Sequence, residues 1–167
     1  ANPFPIGYGG QNGWHDVVGA GDYAYTVGSS GWYTVGLYAF DVSDPAQPQF
    51  LSLTNYPTVN TCGNYCLGAN ANEVEAYANA VYVANPTATY VFDVTDPAQP
   101  TIVTTLPGAE TVEIRDGVLF TGDLSGANGV RWYDLADPLA PALVEYVAVA
   151  SRGLAIGDDY LLSLIHI

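Results

Sequence analysis

Hydrophobic and polar positions alternate along most of this chain in short runs. Gly36-Leu37-Tyr38-Ala39-Phe40-Asp41-Val42-Ser43 is the clearest: Leu37, Ala39 and Asp41 fall on one face, Tyr38, Phe40 and Val42 on the other. A period of two, bounded by Gly, Pro, Asn or Asp, marks a strand. Applied along the chain, it predicts strands at 15–20, 23–28, 36–43 and 49–53. A second group opens at Glu73 and continues at 81–84, 89–95 and 101–106; a third opens at Thr111 and continues at 118–121, 130–136 and 142–147. A fourth begins at 153–157 and stops one strand later. Gly21-Asp22, Asn79, Asp116-Gly117 and Asp158-Asp159 supply hairpin turns, and 29–35 reads as a longer loop. No capped stretch with a 3.6-residue period occurs, so helices are not expected.

Each group carries one recurring corner. Asp41-Val42-Ser43-Asp44-Pro45-Ala46-Gln47-Pro48 returns as Asp93-Val94-Thr95-Asp96-Pro97-Ala98-Gln99-Pro100, then as Asp134-Leu135-Ala136-Asp137-Pro138-Leu139-Ala140-Pro141. The copies start 52 and then 41 residues apart, close to the ~40–50-residue period of four-stranded propeller blades. Aspartate can accept backbone N–H bonds while proline fixes its own φ, and together they end a strand sharply. The expected fold is therefore all-β: a propeller fragment of about three four-stranded antiparallel blades plus the start of a fourth. A sandwich also has many short strands, but gives no reason for near-identical corners at a blade-length period. Closed propellers have about 4–8 blades, so the ring is expected to be incomplete and the remaining blades of the full-length chain are its first partners.

The blades are assigned to 14–55, 72–107, 110–148 and 151–161, behind a Pro- and Gly-rich lead-in at 1–13. There is no initiator Met, and Ala1-Asn2-Pro3-Phe4-Pro5 lacks a basic start and an apolar run, so a mature or truncated product is expected. Residues 162–167, Leu-Ser-Leu-Ile-His-Ile, are what CTG-TCT-CTT-ATA-CAC-ATC encodes, which resembles the end of a transposon-based sequencing adapter. They are set aside as non-native, and His166 with them.

Composition narrows the partners. Seventeen acids stand against three arginines and no lysine, for a net charge of −14. Such a surface repels nucleic acid and anionic lipid, leaving cations, neutral sugars and basic protein patches. No run approaches the ~18 apolar residues of a membrane helix, so no membrane insertion is expected.

Residues 36–45 with Pro48, and Gly21-Asp22-Tyr23-Ala24-Tyr25 upstream, resemble the LVIVD-repeat family, which is similar to WD-type propellers. The resemblance covers nearly the whole chain. Blade one matches best; blade three departs, with Leu135-Ala136 in the motif and no Tyr-Ala-Tyr. It implies a secreted or surface-anchored bacterial protein, extracellular or at the cell surface. The motif specifies a turn, so it speaks to fold far more than to function.

In a propeller, the connections from strand four to the next strand one share a face with those from strand two to three. Here residues 56–71 account for the longer first spacing, and lengthened loops on one face of a rigid scaffold are where binding is usually placed. Trp32, Tyr33 and Tyr65 would be its aromatic contacts. Tolerated insertion is the competing reading. Cys62 and Cys66, the only cysteines, bracket Gly63-Asn64-Tyr65 and suit a local disulfide worth about 2 kcal/mol, with a reduced, inert pair as the alternative.

Aligning the blades on Tyr25, Tyr82, Phe120 and Leu162 places His15, Asn72, Glu110 and Arg152 at one position entering the innermost strand. Asp16, Glu73, Thr111 and Gly153 follow. These would ring the channel mouth as a binding rim for a cation, water or small polar ligand, or simply as the polar lining of a solvated channel. His15 beside Asp16 has no nucleophile in a recognisable elbow. Asp123-Leu124-Ser125-Gly126-Ala127-Asn128-Gly129 is weakly like a calcium loop but lacks the distal bidentate Glu; a Gly-rich turn is the better reading, and no cofactor is expected. The leading functional expectation is a non-catalytic extracellular propeller that binds protein or glycan as an adhesion or scaffold module. The alternative is a lactonase-like hydrolase with a metal in the channel mouth held by His15, Asp16, Glu73 and Glu110.

Overall fold

The computed structural model describes residues 12–30, 34–57, 71–157 and 161–164. Fourteen strands and no helix occur among them. The first sheet is β1 (Asn12–Ala20), β2 (Tyr23–Ser30), β3 (Thr34–Asp41) and β4 (Gln49–Asn55). The second is β5 (Glu73–Tyr77), β6 (Ala80–Ala84), β7 (Ala88–Asp93) and β8 (Thr101–Pro107). The third is β9 (Thr111–Arg115), β10 (Val118–Gly122), β11 (Val130–Asp134) and β12 (Ala142–Val147), and β13 (Gly153–Ile156) with β14 (Leu161–Leu164) form a two-stranded start of a fourth. Every sheet is an antiparallel meander in sequence order, and the first strand of each lies beside the first strand of the next. The sheets thus fan about a common axis with β1, β5, β9 and β13 innermost, as an unclosed propeller fragment. Residues 162–164, set aside on sequence as adapter-encoded, lie in β14 paired with β13.

The corners show why the sequence repeats. Asp44 Oδ1 accepts the N–H of Ala46 at 3.0 Å and its carbonyl accepts that of Gln47 at 2.9 Å. Asp96 does the same to Ala98 at 3.0 Å and Gln99 at 2.9 Å, and Asp137 to Leu139 and Ala140, both at 3.1 Å. The leading aspartate of each copy makes a second such turn: Asp41, Asp93 and Asp134 accept the N–H two residues on, at 2.9, 2.8 and 2.8 Å. This local bond competes with the ladder. It ends the third strands at Asp41, Asp93 and Asp134, two residues before the expected ends. The loop expected at 29–35 is also shorter, because Ser29 pairs with Val35 and Ser30 with Thr34, leaving 31–33 as the connection.

All three four-stranded sheets carry a bulge at one register position. Phe40 faces Phe50 while Ala39 faces Ser52; Phe92 faces Ile102 while Val91 faces Thr104; Tyr133 faces Leu143 while Trp132 faces Glu145. An extra residue on the outer strand bends it and increases local twist, the distortion a blade needs.

The apolar cores lie between sheets rather than within them. Tyr25, Leu37, Val74, Val81, Val83 and Phe92 pack between the first and second. Ala80, Tyr82, Ala84, Val112, Leu119 and Tyr133 pack between the second and third. Neighbouring residues of β6 point into opposite cores, and the whole strand is buried. At about 1.5–3 kcal/mol for each large side chain removed from water, these two interfaces are the main source of stability.

Candidate functional site

The face expected to carry function is assembled by hydrogen bonds between its loops. The Ala109 N–H donates to the Asn85 carbonyl at 3.0 Å and that of Ser151 to the Asp123 carbonyl at 2.9 Å. Each bond ties a connection between sheets to the loop joining strands two and three of the preceding sheet. Gly108 lies so close to the Asn85–Thr87 turn that a Cβ there would sit 2.2 Å from the Pro86 carbonyl oxygen. The long connection after β4 is anchored at both ends on this face. Tyr56 is buried, stacks on Tyr90 at 5.0 Å and meets Phe92 edge-on, while the Tyr90 hydroxyl donates to the Pro57 carbonyl at 2.5 Å. Ala71 is fully buried at the far end. Trp32, Tyr33, Cys62, Tyr65 and Cys66 lie outside the described residues.

The innermost strands bring the aligned rim residues together. Tyr25 pairs with Val18, Tyr82 with Glu75, Phe120 with Glu113 and Leu162 with Ala155, a single offset in all four sheets. Asp16 Oδ2 accepts the N–H of Val74 in the next sheet at 2.9 Å. Glu73 Oε2 repeats the contact one sheet on, accepting the Val112 N–H at 3.0 Å and the Thr111 hydroxyl at 2.5 Å. The Asn72 amide donates to Glu110 Oε2. Asp16 and Glu73 are staples that satisfy backbone donors at the sheet-to-sheet seam, where an unpaired buried N–H would be costly. Thr111 and Gly153, the later occupants of the position, carry no carboxylate to extend the series. His15 and Arg152 are exposed at either end of the arc.

Glu75 and Glu113 were not anticipated. They lie two residues beyond Glu73 and Thr111 and so share their face of the strand; the two-residue spacing was the available signal. Partial burial raises both carboxyls above the ordinary value, and neighbouring charges reinforce it: Glu113, Asp16 and Glu73 on Glu75, and Glu73 and Asp16 on Glu113. Glu110 is also raised, by burial and then by Asp123, against the opposing pull of Arg152 and of the Asn72 bond.

The loop at 123–129 is a turn. Asp123 is buried; burial pushes its carboxyl up, but bonds from the Ser125 side chain, the Asn128 N–H and the Ser125 N–H outweigh this and lower it. Its oxygens accept Ser125 Oγ at 2.6 Å and the Asn128 N–H at 2.7 Å, so the carboxylate is engaged within its own loop. Among the described residues, no three His, Cys, Asp or Glu side chains converge as metal ligands.

No protein-family model and no curated protein matches this chain. Solved structures do. The computationally designed protein Ika4 superposes with a TM-score of 0.61 at 12% identity, over 93% of this chain and 86% of its own. The designed Ika8 protein gives 0.60 at 11% identity, over 90% of this chain but 42% of its own. KlHsv2 with loop 6CD replaced by a Gly-Ser linker gives 0.50 at 9% identity, over 90% of this chain and 44% of its own. The chain thus spans most of one designed protein and less than half of the other two. At these identities the likeness shows the fold alone.

Proposed function

We propose that this chain is part of a non-catalytic, extracellular or cell-surface propeller that binds protein or glycan through the loop face described above. The observation that carries the reading is the anchoring of the long connection after β4: buried Tyr56 and Ala71 fix its two ends on a rigid pair of sheets. Rigid presentation lowers the ordering cost of binding. Trp32 and Tyr33, in the sequence between β2 and β3, and Tyr65, between β4 and β5, would supply flat, amphipathic contacts. A Cys62–Cys66 bridge would stiffen the connection and agree with an oxidising compartment. The resemblance to LVIVD repeats supports the same address. Metal-assisted hydrolysis is less favoured, because Asp16 and Glu73 are already engaged by backbone N–H groups of the neighbouring sheets.

The test is binding of the 167-residue chain to a glycan array and to immobilised lysozyme as a basic protein, compared with Trp32→Ala, Tyr33→Ala and Tyr65→Ala. A specific signal that falls at least about tenfold in these variants, and again on reduction of Cys62 and Cys66, is expected. Signals untouched by all three substitutions would remove the reading.

A further inference from the structure

Apart from two histidines, every basic side chain of this polypeptide is an arginine, and there are three: Arg115, Arg131 and Arg152. An endopeptidase whose acidic pocket reads a cationic side chain therefore has three bonds to choose from. Two are built into the third sheet. Arg115 ends β9 opposite Val118; its Nη1 donates to the Ile156 carbonyl at 3.2 Å and its Nε lies 3.5 Å from Asp116. Arg131 stands mid-sheet between Thr121 and Tyr146, donates to the Asn128 carbonyl and lies 4.6 Å from the centre of the Tyr146 ring. Cutting after either requires the ladders of that sheet to open. Arg152 differs: it occupies the bend between β12 and β13, outside the ladders, with its side chain exposed. Its two flanks are fastened unequally. Upstream, Ser151 is fully buried and its N–H donates to the Asp123 carbonyl at 2.9 Å. Downstream lies the seam without a carboxylate staple, since Thr111 holds the position and its hydroxyl donates back to Glu73 at 2.5 Å. There β13 is held by the burial of Leu154 and by the Arg115 bond.

We propose that the Arg152–Gly153 bond is a processing site for an arginine-specific serine endopeptidase, and that the cut releases the β13–β14 hairpin from the third sheet. Such an enzyme takes its substrate extended, so Leu154 must leave its seat and the 3.2 Å bond from Ser151 Oγ to the Gly153 carbonyl must break. Both follow from local opening of one unstapled hairpin, while buried Ser151 keeps the upstream side in place. Water then adds across the amide and the C–N bond breaks, leaving a carboxylate on Arg152 and an ammonium group on Gly153. The covalent tether had supplied an effective concentration of about millimolar. Without it, one buried leucine and one arginine bond do not hold the hairpin at micromolar protein. Because Arg115 and Arg131 are locked in their sheet, the event yields two discrete pieces rather than degradation. This inference is independent of the loop-face reading.

The test treats the native 167-residue chain with a low ratio of trypsin and follows the products by intact mass, beside Arg152→Gln and the urea-unfolded parent. A single cut after Arg152 is expected in the native chain, at least about a hundredfold faster than cuts after Arg115 and Arg131. In urea all three bonds are expected to be cut at comparable rates. Arg152→Gln, a change at an exposed position, is expected to keep the melting temperature and lose the fast cut. Size-exclusion at micromolar concentration is expected to separate residues 153–167 from 1–152. A native chain that stays intact, a first cut after Arg115 or Arg131, a fast cut that survives in Arg152→Gln, or fragments that co-elute after a clean cut would each overturn the proposal.

Discussion

Ala78 holds φ at 53°, in the left-handed region that L side chains other than Asn and Asp rarely adopt. It opens the hairpin between β5 and β6, where Gly21 (φ 61°) stands in the first sheet and Asp116 (φ 52°) in the third. Alanine pays the Cβ–carbonyl clash with no compensating side-chain bond. Ala78→Gly is expected to raise stability by about 0.5–1 kcal/mol in urea denaturation, despite the added freedom of the unfolded chain. No gain, or a loss, would mean that the turn is not strained as described. This residue was not legible in the sequence. Asn79 signals the turn, while Ala78 carries no turn signal at all; its conformation is imposed by the ladders on either side. The Asp–Pro corners were legible because their bonds reach only two or three residues, so the sequence holds both partners within one short motif.

Among the elements, the staples were half legible. Aligning the sheets located Asp16 and Glu73 at one position, but their partners lie 58 and 39 residues away, and a sequence does not reveal which backbone donor a carboxylate will meet. In the fold, Asp16 and Glu73 of that rim hold backbone N–H groups across the seam between sheets. Glu73→Ala is expected to cost about 1.5–3 kcal/mol, the range of a hydrogen bond to a charged group, measured by equilibrium denaturation at neutral pH. Glu73→Gln, which keeps an acceptor without the charge, is expected to lose less. A cost for the alanine variant within a few tenths of a kcal/mol would refute the staple.

Glu75 and Glu113 act in the opposite sense. Their carboxyls are raised in the folded state, so folding favours their protonated forms. They cost stability above their folded-state values, and that cost fades as pH falls through the carboxylate range. Combining Glu75→Gln with Glu113→Gln is expected to raise Tm at pH 7 and to shrink its advantage over the parent as pH approaches 4. An equal advantage at both pH values would show that these charges are not the cause. Asp41 and Asp93 run the other way: side-chain bonds from Ser43 and Thr95 lower them, and what they add fades on acidification.

At the scale of the whole molecule, the corner period made the fan legible, because a recurring strand end at fixed spacing leaves few other architectures. The bulges, the bonds from Ser52, Thr54 and Tyr82 to the following sheet's corner and the double burial of β6 depend on how sheets meet, which no local pattern encodes. The two faces left raw by the fan also differ. Val17, at the position buried in Val74, Val112 and Leu154, is 65% exposed, and its N–H turns back to its own Asp16 at 2.9 Å.

The seam bonds also give the fan an arrow. At the first two junctions a carboxylate of the earlier sheet takes a backbone N–H of the later one, so peeling away β1 strips Val74 of its acceptor, whereas peeling away β9 leaves Asp16 and Val74 joined. A pull applied at the leading end therefore leaves β5 with an unmet backbone N–H at Val74, while a pull from the trailing end leaves β5 with a freed carboxylate at Glu73, which water can readily solvate.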